Sequence, residues 1–339
     1  MMNNSIQKFF TIVFLFGFSS IYGQYTEVIN SNKPGFSESP YSVGTGVYQL
    51  ETNIFLRDTR IDPTFSRPQS LGFDLLFRTS FFLEKLELNV QVTQQKDKVA
   101  FKNIFTSHYY ESNLSRLTIG AKYLLFQPKY KDKSKEIRSW KKRFAFDKRR
   151  LIPSVAIYAG ANTDYVGDFY KTGNISPKVG LLLQHNLTNK FNIITNVFYD
   201  KIGTDFSEIS YIITGTYNFS NRWSTFIENQ MQFQEFQNNI NFGTGLAFLY
   251  NNNLQLNASG RILSEGTTPG YYAGFGVSYR INKHKDSFKE LDENGRAVIE
   301  TPISKYNKKQ KGFFSRLFSI FTKKNKRRNT RSHSRKKKE

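Results

Sequence analysis

The sequence predicts an all-β fold: an antiparallel, up-and-down transmembrane β-barrel of about 12 strands, with a basic C-terminal tail that is partly helical or disordered. Three observations predict it. The first is alternation with period two between positions 240 and 281. There Ile240, Phe242, Thr244, Leu246, Phe248 and Tyr250 share one face, and Asn241, Gly243, Gly245 and Ala247 share the other. Successive strand side chains point to opposite faces, so this is a strand with one greasy and one polar surface. The second is length. Such segments run to about 10–13 residues, against about 5–6 for a soluble strand and about 9–11 for a tilted strand crossing a bilayer. The third is that polar links between the segments alternate short and long, the habit of barrels with tight turns at one rim and loops at the other.

The first residues read as a secretory signal peptide over 1–23. Lys8 gives a positive start, Phe9 to Phe18 an apolar core, and cleavage is expected near Gly23–Gln24. That core is too short to span a membrane, and no later run reaches the roughly 18 apolar residues of a membrane helix. An exported chain without such a helix stays soluble or enters the membrane as a closed barrel, the sheet form whose backbone is fully hydrogen-bonded in lipid. The chain has no cysteine, which removes disulfides, thiolate metal sites and a lipidated N-terminus. Its 33 Phe and 19 Tyr suit interfacial girdles.

Residues 24–45, with Pro34, Gly35, Pro40 and Gly44, form an irregular N-terminal segment. The barrel is expected over 46–282. Its strands are predicted at 46–58, 71–82, 86–95, 114–126, 151–162, 175–187, 191–199, 210–219 and 222–232, followed by three more between 240 and 281. Tight polar turns are expected at 83–85, 188–190, 220–221 and 251–253. Longer links fall at 59–70, 96–113, 164–171 and 201–205. An even strand count returns the chain to its starting side, so both termini would face the periplasm of an outer membrane. One turn on that side, 127–150, is long and carries eleven Lys and Arg against three Asp and Glu. The tail, 283–339, carries nineteen against six. Of the net charge of +22, these two appendages carry +21 and Lys8 the remaining +1, so the barrel itself is close to neutral.

Eleven charged residues fall on the polar, inward face: Glu51, Arg57, Asp74, Arg78, Glu87, Arg116, Lys122, Lys178, Glu228, Arg261 and Arg280. Lys or Arg facing hydrocarbon costs about 2–4 kcal/mol at the midplane, so this placement supports lipid on the other face. They could line a solute path or form an internal salt-bridge network that fills a narrow lumen; the strand number alone leaves both open. Enzymatic chemistry finds little support. The four histidines, His108, His185, His284 and His333, show no metal spacing, and His185 has no convincing serine beside it. No catalytic, metal or cofactor residue is assigned. In the tail, Phe314, Leu317, Phe318 and Phe321 share one helical stripe, and Lys323 and Lys324 follow it. A short greasy helix between basic clusters suits an anionic lipid surface. An exported barrel rarely meets nucleic acid, so no nucleic-acid partner is expected.

The run Asn32-Lys33-Pro34-Gly35-Phe36-Ser37, followed by Ser39-Pro40-Tyr41-Ser42-Val43-Gly44-Thr45-Gly46-Val47-Tyr48-Gln49-Leu50-Glu51, resembles the start of a family of exported bacterial barrels. That family is labelled transporter, or putative MetA-pathway of phenol degradation protein. The resemblance covers about residues 25–281 and implies an outer-membrane barrel passing small, aromatic or hydrophobic, solutes. It implies no catalytic motif and does not reach the insert or the tail. The reading that follows is a channel or transporter whose partners are outer-membrane lipid and a small-molecule solute. Two alternatives stay open. One is a structural barrel whose basic arms hold anionic lipid or cell wall; the other is an outer-membrane lipid hydrolase.

Overall fold

The computed structural model describes residues 28–59, 69–81, 83–100, 108–130, 139, 146–235, 238–264 and 269–284. The signal-peptide region and the tail stripe, including Phe314, Leu317, Phe318, Phe321, Lys323 and Lys324, lie outside the described residues.

Twelve antiparallel strands form a closed barrel in which each strand pairs with its sequence neighbours. They are β1 (Val47–Asp58), β2 (Gln69–Thr79), β3 (Leu86–Ala100), β4 (His108–Phe126), β5 (Ser154–Asn162) and β6 (Ser176–His185). The remainder are β7 (Phe191–Asp200), β8 (Glu208–Asn218), β9 (Trp223–Gln234), β10 (Asn238–Asn251), β11 (Leu254–Ser264) and β12 (Gly270–Asn282). Closure is made by β1 on β12, from Val47 opposite Asn282 to Asp58 opposite Tyr271. No edge is left to pair with another chain.

The alternation sets which face is which. Ile54, Leu56, Phe242, Phe275 and Tyr279 lie exposed on the outer wall, while Glu51, Lys122 and Glu228 are buried on the inner one. A soluble protein would hide the first group and solvate the second; a lipid-solvated barrel reverses this. The interior accommodates large rings because glycine lies beside them. A Cβ on Gly120 would come within 2.2 Å of the Tyr158 hydroxyl oxygen, and one on Gly180 within 2.4 Å of the Phe198 ring.

Several boundaries differ from the sequence reading, chiefly those of β3, β4 and β5. The link expected over 96–113 is largely strand, because β3 runs on to Ala100 and β4 starts at His108. Gln94 to Lys98 alternates polar with polar, so its periodicity is invisible in hydropathy although the ladder with β4 continues. The fifth strand starts at Ser154, not at 151. Lys148–Leu151 forms a 3₁₀ turn, and Pro153, which has no N–H for a ladder, precedes the strand. Arg150 ties the end of the basic insert to the β6–β7 turn, donating to the Asn186 carbonyl at 3.1 Å and to Asn189 Oδ1 at 2.7 Å.

Candidate functional site

The site is the lumen, and residues 28–46 run inside it. Ile29 N–H donates to the carbonyl of Asn252 in the β10–β11 turn, which marks the entry at the tight-turn rim. The segment then crosses to β2, swings past β9, β7, β6 and β5, and returns to β3 before it becomes β1. Its Pro34, Gly35 and Pro40 forbid a strand or helix of its own, so its backbone N–H groups need other acceptors. The wall supplies carboxylates.

Glu51 Oε2 accepts from the Ser31 hydroxyl at 2.9 Å and from the backbone of Asn32 and Lys33 at 2.9 and 3.1 Å. Glu228 accepts from the N–H of Phe36 and, at 3.1 Å, of Ser37. Glu87 accepts from the N–H of Val43 at 3.0 Å. Asn196 pairs with Glu38 twice, accepting from its N–H at 2.7 Å and donating to its carbonyl at 2.9 Å.

Cations complete the network. Arg78 donates to Glu87 through Nε at 2.8 Å and to Glu51 through Nη1 at 2.8 Å. The same Nη1 reaches the Asn30 carbonyl at 2.8 Å. Lys122 lies 3.0 Å from Glu87 and donates to the Ser39 carbonyl at 2.8 Å. The side chains of Arg78, Glu51, Glu87 and Lys122 are all 0% exposed. Lys33, from the segment itself, pairs with Asp74, whose other oxygen accepts from Gln91 at 3.1 Å and Thr93 at 2.7 Å. Arg261 pairs with Glu228 and sits over Phe36, its Cζ 3.5 Å from the ring centroid. Buried charges persist only when so paired, because an isolated one in this setting costs several kcal/mol.

Phe36 is the tip of the segment. It meets Tyr272 edge-on at 5.7 Å, and Tyr272 stacks on Phe55 at 5.4 Å. It also packs against the cluster of Leu124, Ala156, Tyr158, Leu182, Phe198 and Ile212 on the other side of the barrel. One side chain therefore bridges two apolar patches across the lumen. Between the segment and the wall of β6–β10, a cavity of about 410 Å³ remains, reaching the tight-turn rim at Asn189 and Asn221.

The structure thus gathers Glu51, Arg78, Glu87 and Lys122 into one cluster, with Asp74, Glu228 and Arg261 beside it on the same segment. Lys178 sits apart, 3.4 Å from Asp200 and 4.8 Å over the Phe198 ring. Arg116 and Arg57 line the long-link half of the lumen, where Arg116 is exposed. Arg280 donates to Asn253 Oδ1 at 3.1 Å at the opposite rim. His185 faces outward at the end of β6, opposite Ile193. Lys33, Asn196, Asp200 and the segment's backbone donors were not among the sequence candidates. Lys33 and Asp200 stood outside the predicted strands, and Asn196 looked like any polar inward residue.

A closed twelve-strand transmembrane barrel whose centre holds its own N-terminal segment is the class of protein defined here. The family described as putative MetA-pathway of phenol degradation matches residues 31–281, segment and barrel together. The chain belongs to that family. Among solved structures, an outer membrane channel from Pseudomonas putida F1 is similar in fold, with a TM-score of 0.51 at 10% identity over 75% of this chain and 100% of that one. The KdgM porin gives a TM-score of 0.43 at 11% identity, over 68% of this chain and 98% of the porin. The NanC porin gives 0.44 at 8% identity, over 68% of this chain and 100% of the porin. No curated protein matches the chain in sequence.

Proposed function

We propose that this protein is an outer-membrane channel for a small solute, in which residues 28–46 are a plug that shifts to let the solute pass. The observation that carries this is how the plug is held. It is not a strand of the wall; it hangs on side-chain acceptors, chiefly Glu51, Glu87, Glu228 and Asn196. A hydrogen bond to a charged group is worth about 1.5–3 kcal/mol, and such bonds can be exchanged one at a time for water or for a polar solute. Eight-stranded barrels fill their interior with wall side chains; a twelve-stranded one is wider, and here a separate segment takes up the space.

In this reading the tight-turn rim faces the periplasm, with the basic insert and tail on that side, and the leader is removed near Gly23. Phe314, Leu317, Phe318, Phe321, Lys323 and Lys324 would rest on anionic lipid. The family's description and the rings of Phe36, Phe55, Tyr272, Tyr158 and Phe198 support a small aromatic or hydrophobic solute. No enzymatic step is assigned to the chain.

Planar-bilayer recording tests the proposal. The full chain is expected to conduct weakly, and a variant lacking residues 28–40 severalfold more. A folded barrel that stays silent in both forms rejects passage. That outcome would favour the second reading, an anchoring barrel, to which the fully buried ion pairs also lend weight. Anchoring would be lost on removal of residues 283–339, whereas conductance would survive it.

A further inference from the structure

Lys96 and Lys98 occupy alternate positions of β3, and their register opposite Leu71 and Gln69 of β2 puts them on the lipid-facing side of the wall. A charge there is costly at the membrane midplane and nearly free only at the interface. Both lie toward the long-link end of β3, well away from the tight-turn rim. Across the outward face of all twelve strands, the charged side chains among the described residues are Asp58, Lys96 and Lys98. All three line a single groove of about 540 Å³ on the outside of the barrel, built by β1, β2, β3, β4 and β12.

The groove is apolar on its β1–β2 side and cationic on its β3 side, with Leu56, Leu71 and Lys96 opposite one another in the ladder. Leu56 is 60% exposed, Leu71 50%, and Tyr110 and Tyr271 add aromatic faces. The Lys96 ammonium stands 5.1 Å from the centroid of the Tyr110 ring. Asp58, the one acid, accepts from Gln69 at 3.3 Å, so the two ammonium groups outnumber it. We propose that this groove is a binding site for a phosphorylated glycolipid of the outer leaflet, with phosphate on Lys96 and Lys98 and an acyl chain along Leu56 and Leu71. Charge complementarity selects the occupant: neutral lipid would leave two desolvated ammonium groups facing it, whereas a phosphate pairs with both. The inference rests on the barrel's membrane orientation and not on solute passage, so a non-conducting barrel could still carry the lipid.

Native mass spectrometry of the full chain in detergent tests it, with bisphosphorylated lipid A, its dephosphorylated form and phosphatidylglycerol as probes. Bisphosphorylated lipid A is expected to bind at least tenfold more tightly than either of the others. The double variant Lys96→Gln/Lys98→Gln is expected to lose about 30-fold in that affinity, and Lys96→Arg/Lys98→Arg to retain it. Equal binding of the dephosphorylated lipid or of phosphatidylglycerol to the unaltered protein would overturn the proposal. So would a folded double Gln variant that binds lipid A unchanged. The lipid comparison needs no variant, so it decides even if the Gln variant fails to fold.

Discussion

In the tight-turn half of the lumen, Arg78, Glu51, Glu87 and Lys122 are fully buried and each touches the plug. In the long-link half, Arg116 is exposed and Arg57 partly so, and the polar contacts run from wall to wall. There Asn162 bridges Thr118 and Asp200, each at 2.6 Å, and Gln232 and Gln234 donate to Glu208 at 2.8 and 2.7 Å. The same residue types thus do two jobs on one set of strands. Where a segment fills the lumen, charges are dry, paired and structural. Where the segment does not reach, Lys178 pairs with Asp200 and the side chains of Arg116 and Arg57 keep part of their exposure. Inward-facing charge is therefore not by itself a sign of a solute path; what lies against it decides.

The largest expected effect is in the plugged half. Arg78→Ala leaves Glu51 and Glu87 buried without their shared cation and should cost about 3–5 kcal/mol of stability. Urea titration of the refolded barrel, followed by its heat-modifiable gel shift, measures this. A cost near zero would mean that water reaches the cluster and that the segment is not seated there. Next is Glu228→Gln, which keeps the shape but removes the charge that holds Phe36, Ser37 and Arg261. A loss of about 1.5–3 kcal/mol is expected, with a rise in open-channel events in bilayer recordings. Destabilisation without any change in gating would make the plug tip a passive filler. The smallest is Arg116→Ala in the other half. Its stability should stay within about 0.5 kcal/mol of the parent, as for an exposed surface substitution, while the reversal potential in a salt gradient shifts toward cations. Should it destabilise as much as Arg78→Ala, the contrast between the halves would disappear.

Much of the wall was legible because lipid on one side and polar groups on the other impose period two on every strand. Ile240 to Tyr250 carries that signal in full, and the twelve-strand closed barrel follows from its repetition. The signal fades where both faces are polar, which is why the extension of β3 through Lys96 and Lys98 read as loop. The plug was not legible for a different reason. Its contacts are made by backbone N–H groups of a Pro- and Gly-rich run, and every residue has a backbone, so nothing in Asn32 to Ser37 marks which carboxylate it will meet. Glu51, Glu87 and Glu228 could be placed inward from their strands, but only the three-dimensional path shows that all three serve one segment.

The measurement that bears most directly on a moving plug uses a staple. Ser31 of the plug and Ser278 of β12 have their hydroxyl oxygens 2.7 Å apart, and the chain has no cysteine of its own. Ser31→Cys/Ser278→Cys should therefore close a single disulfide that pins the plug to the wall. Single-channel conductance is expected to be suppressed in the oxidised protein and restored by reductant in the same bilayer. Equal conductance before and after reduction would contradict the account, since solute would then be passing a plug that never moves.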